Sequence, residues 1–140
     1  MKIAVLGDGG WGTALAILLK NKGFDVSLWG IFEDNVEKIR EDSENTKFLP
    51  GIKIPESIQF TCDVYDACQD ADLIVLAIPS RFLRQVLIKN RDSLKRVRAG
   101  FVSVVKGLEE KALKRMSEVV FEIGLTVSSE SAPSKTPPLS

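Results

Sequence analysis

The chain has 140 residues, 44% of them hydrophobic and 27% charged, which is the composition of a globular domain and not of a collagenous, disordered or disulfide-framework protein. A chain of this length hides roughly two-thirds of its unfolded surface, enough for one core and too little for two. Nineteen Lys and Arg balance nineteen Asp and Glu, so the charge field that would gather nucleic acid or a membrane surface is missing, and neither is expected as a partner.

The apolar run at residues 2–6 stops at Gly7 and predicts a first, buried strand. Residues 11–22 set Ala14, Leu15, Ile17, Leu18 and Leu19 on one helical face, with Gly23 just past the end. A second strand is expected over 25–29, closed by Gly30, and a short helix over 33–41 with acidic residues at its start. Residues 42–56, punctuated by Leu49-Pro50-Gly51 and Pro55, read as an irregular loop long enough to carry function. A third strand is expected over 58–61. The clearest strand is the fourth, over 72–78, apolar after Asp72 and closed by Pro79, the pattern of a strand buried on both faces. From Ser80, the residues Phe82, Leu83, Val86 and Leu87 mark an amphipathic helix with Arg81 and Arg84 on its flank. A fifth strand over 100–105 and a helix over about 110–123 complete the alternation, which predicts an α/β fold with a doubly wound, mostly parallel sheet. One folded domain is drawn at 1–125. Residues 126–140 hold half of the six prolines and almost no apolar side chain, and are read as a disordered Ser/Pro-rich tail.

The chemistry available is narrow. There is no histidine, so proton transfer by this chain falls to Lys, Asp, Glu or Tyr65. Two cysteines, Cys62 and Cys68, without further Cys or His make no zinc set, so no metal is expected and both thiols are assigned to reduced, at least half-buried packing, as are Tyr65 and Trp29. The longest apolar run falls far short of the roughly 20 residues that span a bilayer, and no signal-peptide layout opens the chain, which reads as cytoplasmic.

Between the first strand and helix stands Gly7-Asp8-Gly9-Gly10-Trp11-Gly12, a G-x-G-x-x-G turn. In a Rossmann-type sheet such a turn needs its first glycine for the bend, its second for close approach of a pyrophosphate, and its third for helix-to-strand packing. The alternative is a glycine turn that serves packing alone. Past the second strand the chain reads Trp29-Gly30-Ile31-Phe32-Glu33-Asp34. The acids arrive late for a ribose and no arginine is present for a 2′-phosphate, which favours NAD over NADP. Phe32 is either a wall for the adenine or ordinary packing.

Four phrases in order resemble the N-terminal domain of NAD-dependent glycerol-3-phosphate dehydrogenase. They are Gly9-Gly10-Trp11-Gly12-Thr13-Ala14-Leu15-Ala16, then Asn45-Thr46-Lys47-Phe48-Leu49-Pro50-Gly51-Ile52-Lys53-Ile54-Pro55, then Ile78-Pro79-Ser80 with Phe82, and Val105-Lys106-Gly107-Leu108-Glu109. The resemblance covers about residues 2–125. It implies that Gly7, Gly9, Gly10, Trp11 and Gly12 line the pyrophosphate site, that Phe32 lies near the adenosine, and that Pro79, Ser80 and Phe82 border the cofactor. Lys106 would be the substrate-side lysine, its ammonium holding an oxygen whose negative charge grows as hydride moves. The implied reaction is hydride transfer between NAD(P)H and dihydroxyacetone phosphate, giving sn-glycerol 3-phosphate. The family's helical second domain, with another lysine and much of the phosphate site, has no counterpart in these 140 residues, so the chain alone is expected to hold cofactor without turnover. A competing reading is a stand-alone NAD(H)-binding or redox-sensing module without catalysis. Oligomeric state, a homodimer included, is left open.

Overall fold

Five short apolar runs pair side by side in the structure, a computed structural model that describes residues 1–103. Strands β1 (Lys2–Leu6), β2 (Asp25–Trp29), β5 (Gln59–Thr61), β6 (Leu73–Leu76) and β7 (Gly100–Ser103) form one sheet in the order β5-β2-β1-β6-β7. Every pairing in it is parallel. All five strands therefore end at one edge, and the chain changes direction across the sheet between β1 and β6, where open α/β sheets form their ligand crevice. The remainder of the predicted fifth strand, Lys106, the helix over 110–123 and the tail lie outside the described residues.

Alternation along the strands builds a core on each face. Ile3, Val5, Val26, Leu28 and Val75 point to the side covered by helices α1 (Gly10–Asn21) and α2 (Glu33–Asp42). Ala4, Leu6, Ile74 and Leu76 point to the other side, under α3 (Val64–Cys68), α4 (Ser80–Lys89) and α5 (Arg91–Lys95). Full burial of such a Leu or Ile contributes about 1.5–3 kcal/mol. Two polar groups on the second face are satisfied locally. The Ser27 hydroxyl donates to the Ala67 carbonyl at 2.8 Å, and the Trp29 indole N–H donates to the Cys62 carbonyl at 2.9 Å.

Several expectations are corrected. Residues 42–56 are not irregular: β3 (Glu44–Asn45) and β4 (Leu49–Lys53) form an antiparallel pair with a shift in register between Glu44 and Asn45. Pro50 is tolerated because a two-stranded ladder is all edge. Helices α3 and α5 were not foreseen; α3 is capped by Asp63, whose Oδ1 accepts from the Asp66 N–H at 3.1 Å. Most of the apolar face expected of α1 packs on the core, with Leu15, Ile17 and Leu19 half-buried there and Leu18 off it. Gly12, Thr13 and Ala16 are buried, whereas Leu18 is 52% exposed, because the helix approaches the sheet on its smallest residues. Cys68 is buried as expected, but Cys62 is exposed. At the sheet's outer edge Arg40 donates from its Nε to the Phe60 carbonyl at 3.2 Å, and from Nη2 to the same oxygen. No helix among the described residues is long and apolar enough to cross a membrane, and none of their Cys, Asp and Glu side chains group as a metal site.

Candidate functional site

The glycine turn runs from the end of β1 into α1, and three of its glycines are there for three different reasons. Gly7 has φ +126°, a backbone conformation that L side chains rarely adopt, and a Cβ there would lie 2.5 Å from the Ala77 carbonyl oxygen. A Cβ on Gly12 would overlap the Gly7 carbonyl oxygen and come within 3.3 Å of the Ala77 Cβ. These two positions weld turn, helix and the end of β6 together. Gly9 differs: its φ of −67° suits any residue, and a Cβ there would meet nothing within 4 Å. The packing within the chain leaves Gly9 unexplained, and its open side is where close approach by a ligand would require a missing side chain.

The ends of the helices add charge. Gly9 is the N-cap of α1 and makes no side-chain cap, and the first turn of α1 has no acid. The first N–H groups of a helix lack intrahelical partners and carry the positive end of its dipole. Helix α4 likewise starts without a side-chain cap or an acid in its first turn, with Pro79 at its N-cap. Helix α2 opens instead with Glu33 and Asp34. A phosphate is thus favoured at α1 and disfavoured at the start of α2.

A polar lattice of residues far apart in sequence holds this turn, a meeting that no local pattern signals. Asn45 is fully buried and its Nδ2 donates both to the Asp8 carbonyl at 2.7 Å and to the Thr13 hydroxyl at 2.9 Å. Thr13 Oγ1 in turn donates to the Asp8 carbonyl at 3.1 Å. The Phe48 N–H donates to Asn45 Oδ1 at 3.3 Å. The Phe48 carbonyl lies 2.7 Å from the place of a Gly10 Cβ, so the turn joining β3 to β4 rests on the start of α1. On the other side the Asp8 carboxylate accepts from Asn35 Nδ2 at 2.7 Å, and a Cβ at Gly30 would strike that carboxylate. Burial pushes the Asp8 carboxyl above its ordinary value, against the Asn35 hydrogen bond and the positive charge of Lys47.

The expected site residues fall on one rim. Trp11, Phe32 and Phe82 stand at the first turn of α1, at the N-cap of α2 and in the first turn of α4, the helices that follow β1, β2 and β6. All three are exposed, by 63%, 56% and 44%. Gly7 and Gly12 meet at Ala77, and Gly10 meets Phe48. Pro79 and Phe82 share the rim by topology. Phe32 is linked to the turn through Lys47, whose Nζ lies 5.3 Å from the Phe32 ring and 5.1 Å from the Phe48 ring. Sequence reading found no arginine after β2; the structure brings an ammonium there from a different element. Lys106 lies outside the described residues.

The donor set suits a dinucleotide. The open Cα of Gly9 and the bare N-terminus of α1 fit a pyrophosphate, and the exposed aromatic rings fit the flat groups at either end of it.

Comparison with known proteins gives the family. Residues 2–129 match the model of the NAD-dependent glycerol-3-phosphate dehydrogenase N-terminus. Over 122 residues, 87% of this chain and 35% of the relative, the sequence is 46% identical to glycerol-3-phosphate dehydrogenase [NAD(P)+] of Syntrophomonas wolfei. The crystal structure of glycerol-3-phosphate dehydrogenase from Coxiella burnetii superposes with a TM-score of 0.76 at 30% identity, covering 89% of this chain and 38% of that one. The Saccharomyces cerevisiae enzyme superposes at 0.73 and 29%, covering 89% and 40%. The chain thus spans a little over a third of the length of the relatives it matches. By its glycine turn, its parallel sheet and these matches, the chain belongs to the NAD-dependent glycerol-3-phosphate dehydrogenase family, in the part that forms the N-terminal domain.

Proposed function

We propose that this chain binds NAD(H) across the carboxyl edge of its sheet as the cofactor-holding part of a glycerol-3-phosphate dehydrogenase, an oxidoreductase interconverting dihydroxyacetone phosphate and sn-glycerol 3-phosphate. When bound, the nicotinamide supplies or receives the hydride. The N–H groups at the start of α1 hold the pyrophosphate past Gly9, and Gly7, Gly10, Trp11 and Gly12 shape that cradle. Phe32 flanks the adenosine, while Pro79, Ser80 and Phe82 border the cofactor from the end of β6. Lys106, which follows soon after β7, steadies the substrate oxygen as negative charge grows on it. Residues in the part of the relatives that this sequence does not span complete the substrate site, so the purified chain is expected to bind NADH and to leave it unoxidised when dihydroxyacetone phosphate is added. The domain is drawn at residues 1–125. A cytoplasmic setting accords with two free thiols.

The observation that carries this reading is Gly9, a glycine with ordinary dihedrals and open space where a side chain would be. The test is a titration of the purified chain with NADH, followed by nicotinamide fluorescence and by melting temperature. A Kd of about 10 μM would add roughly 1.4 kcal/mol of stability at about 100 μM ligand. A folded chain that neither quenches nor shifts with NADH would overturn the reading.

A further inference from the structure

The proposed function leaves a buried acid without a task. Asp8 is the carboxyl group buried among the described residues, and it stands one residue before Gly9, whose open side is where a pyrophosphate passes. Little water separates an ionised carboxyl there from the phosphates, so their repulsion is weakly screened and opposes the ligand that the turn is built to hold. The acid is also pinned. Its main-chain carbonyl accepts from Asn45 Nδ2 at 2.7 Å and from the Thr13 hydroxyl at 3.1 Å. Its carboxylate accepts from Asn35 Nδ2 at 2.7 Å, over a Gly30 that has no side chain to displace it. In the free chain burial disfavours the charge, while the Asn35 amide, the N–H of Asp8 itself and the positive charge of Lys47 favour it. The start of α1 adds the positive end of its dipole. Glu33 and Asp34, which open α2 beside Asn35, face solvent and are screened by it. The end of β6, which meets the turn at Ala77, is apolar. A phosphate at the start of α1 offsets that dipole and adds negative charge, and a pinned carboxyl can relieve the repulsion by taking a proton.

We propose that Asp8 takes up a proton from solvent when the dinucleotide binds, so that the affinity of this chain for the cofactor falls as pH rises through the range in which Asp8 titrates. The inference rests on the dinucleotide reading of the glycine turn and adds to that site its regulation by pH. The proton moves from water to a carboxylate oxygen, and no bond of the cofactor changes. Below the Asp8 pKa of both the free and the bound chain the group is neutral throughout and binding is tightest. Above both it is charged throughout and binding is weakest. Each pH unit between the two values is worth about tenfold in Kd. The chain has no histidine, so few other groups titrate between about pH 5 and about pH 7.

The test is calorimetric titration of the purified chain and of Asp8→Asn with NAD+, from about pH 4.5 to about pH 7, the span in which a raised carboxyl titrates. Repeating each titration in two buffers of different ionisation enthalpy counts the protons taken up. Wild type is expected to take up a fraction of one proton per ligand and to weaken by about tenfold across the span, for a rise of about one pH unit in the Asp8 pKa on binding. Asp8→Asn should take up none and should hold the tighter, acid-side Kd at every pH. A second measurement needs no variant: in wild type labelled at its carboxyl carbons, the NMR titration midpoint of Asp8 should move upward when NAD+ is added. An Asp8 midpoint that stays or falls, wild-type binding without proton uptake, or the same uptake in Asp8→Asn would each overturn the proposal and leave the dinucleotide reading standing. A folded chain that binds no NAD+ at any pH would bring down both.

Discussion

Adding one methyl group at Gly9 and at Gly12 should separate the ligand's demands from the fold's. At Gly12 the new Cβ would overlap the Gly7 carbonyl oxygen, lie 3.0 Å from the carbon of that group and 3.3 Å from the Ala77 Cβ. Backbone on one side and strand β6 on the other leave α1 nowhere to retreat without opening the core. Overpacking of this kind costs about 1–3 kcal/mol, and at about 4 °C per kcal/mol the melting temperature should fall by about 4–12 °C. At Gly9 the same methyl meets nothing within 4 Å, and φ −67° is comfortable for alanine. Losing glycine at an N-cap costs about 0.5–1 kcal/mol, offset by about 0.4–1 kcal/mol from a less flexible unfolded chain, so Gly9→Ala should melt within a few degrees of wild type. Binding should reverse the order of effects. A methyl forced against a phosphate at about 1–3 kcal/mol weakens NADH by about 5- to 150-fold. The assay is differential scanning fluorimetry beside NADH fluorescence titration for wild type, Gly9→Ala and Gly12→Ala. If Gly9→Ala binds NADH as wild type does, nothing passes close over that Cα and the pyrophosphate assignment is wrong. If Gly12→Ala melts normally, the closeness of helix and turn has been misread.

Asn45→Ala removes two donated bonds and one accepted bond at a fully buried site, and should lower stability by about 1–3 kcal/mol; urea unfolding with an unchanged midpoint would show the lattice to be dispensable. For Asp8 the sign follows from burial: its folded pKa is raised, so its contribution to stability is full below the ordinary carboxylate value and lost as pH rises through the raised one. Asp8→Asn keeps an acceptor for Asn35 and removes a buried charge, so its melting temperature should exceed that of wild type near neutral pH, with the gain shrinking on acidification; a gain that stays constant with pH would exonerate Asp8. The thiols should divide. Native protein should label at exposed Cys62 and not at buried Cys68, whose thiol burial pushes up to about 12, and mass spectrometry finding both labelled without denaturant would contradict the packing of α3.

How much of this was legible in the sequence depended on how local the cause was. The runs at β1, β2 and β6 and the glycine turn are read from neighbours along the chain, because a strand buried on two faces needs continuous apolar residues. The strand β6 still ended earlier than the apolar run, since after Leu76 the chain turns onto Gly7 and Gly12, a contact set by the glycines and not by hydrophobicity. The same contact sets the face of α1, where small residues lie on the sheet, Leu15, Ile17 and Leu19 pack beside them and Leu18 is exposed. The β3–β4 hairpin hid behind Pro50 and Gly51, which in a buried strand would be breakers and in a free two-stranded ladder are tolerated. The lattice of Asp8, Asn35 and Asn45 joins residues 27 and 37 positions apart, and no periodicity encodes such a meeting. Lys47 was visible only as one basic residue inside a longer phrase; its two aromatic neighbours come from different elements.

The guanidinium of Arg40 on the Phe60 carbonyl has a consequence for solubility. Strand β5 ends the sheet, and Thr61 turns its carbonyl inward to the Gly30 N–H at 3.1 Å, so the Phe60 carbonyl is the acceptor facing outward. A bare row of such groups invites a strand from another molecule to add itself. Here the edge is only three residues long and its outward acceptor is already taken by a charged side chain from α2, so end-to-end growth of sheets between copies finds its docking point occupied.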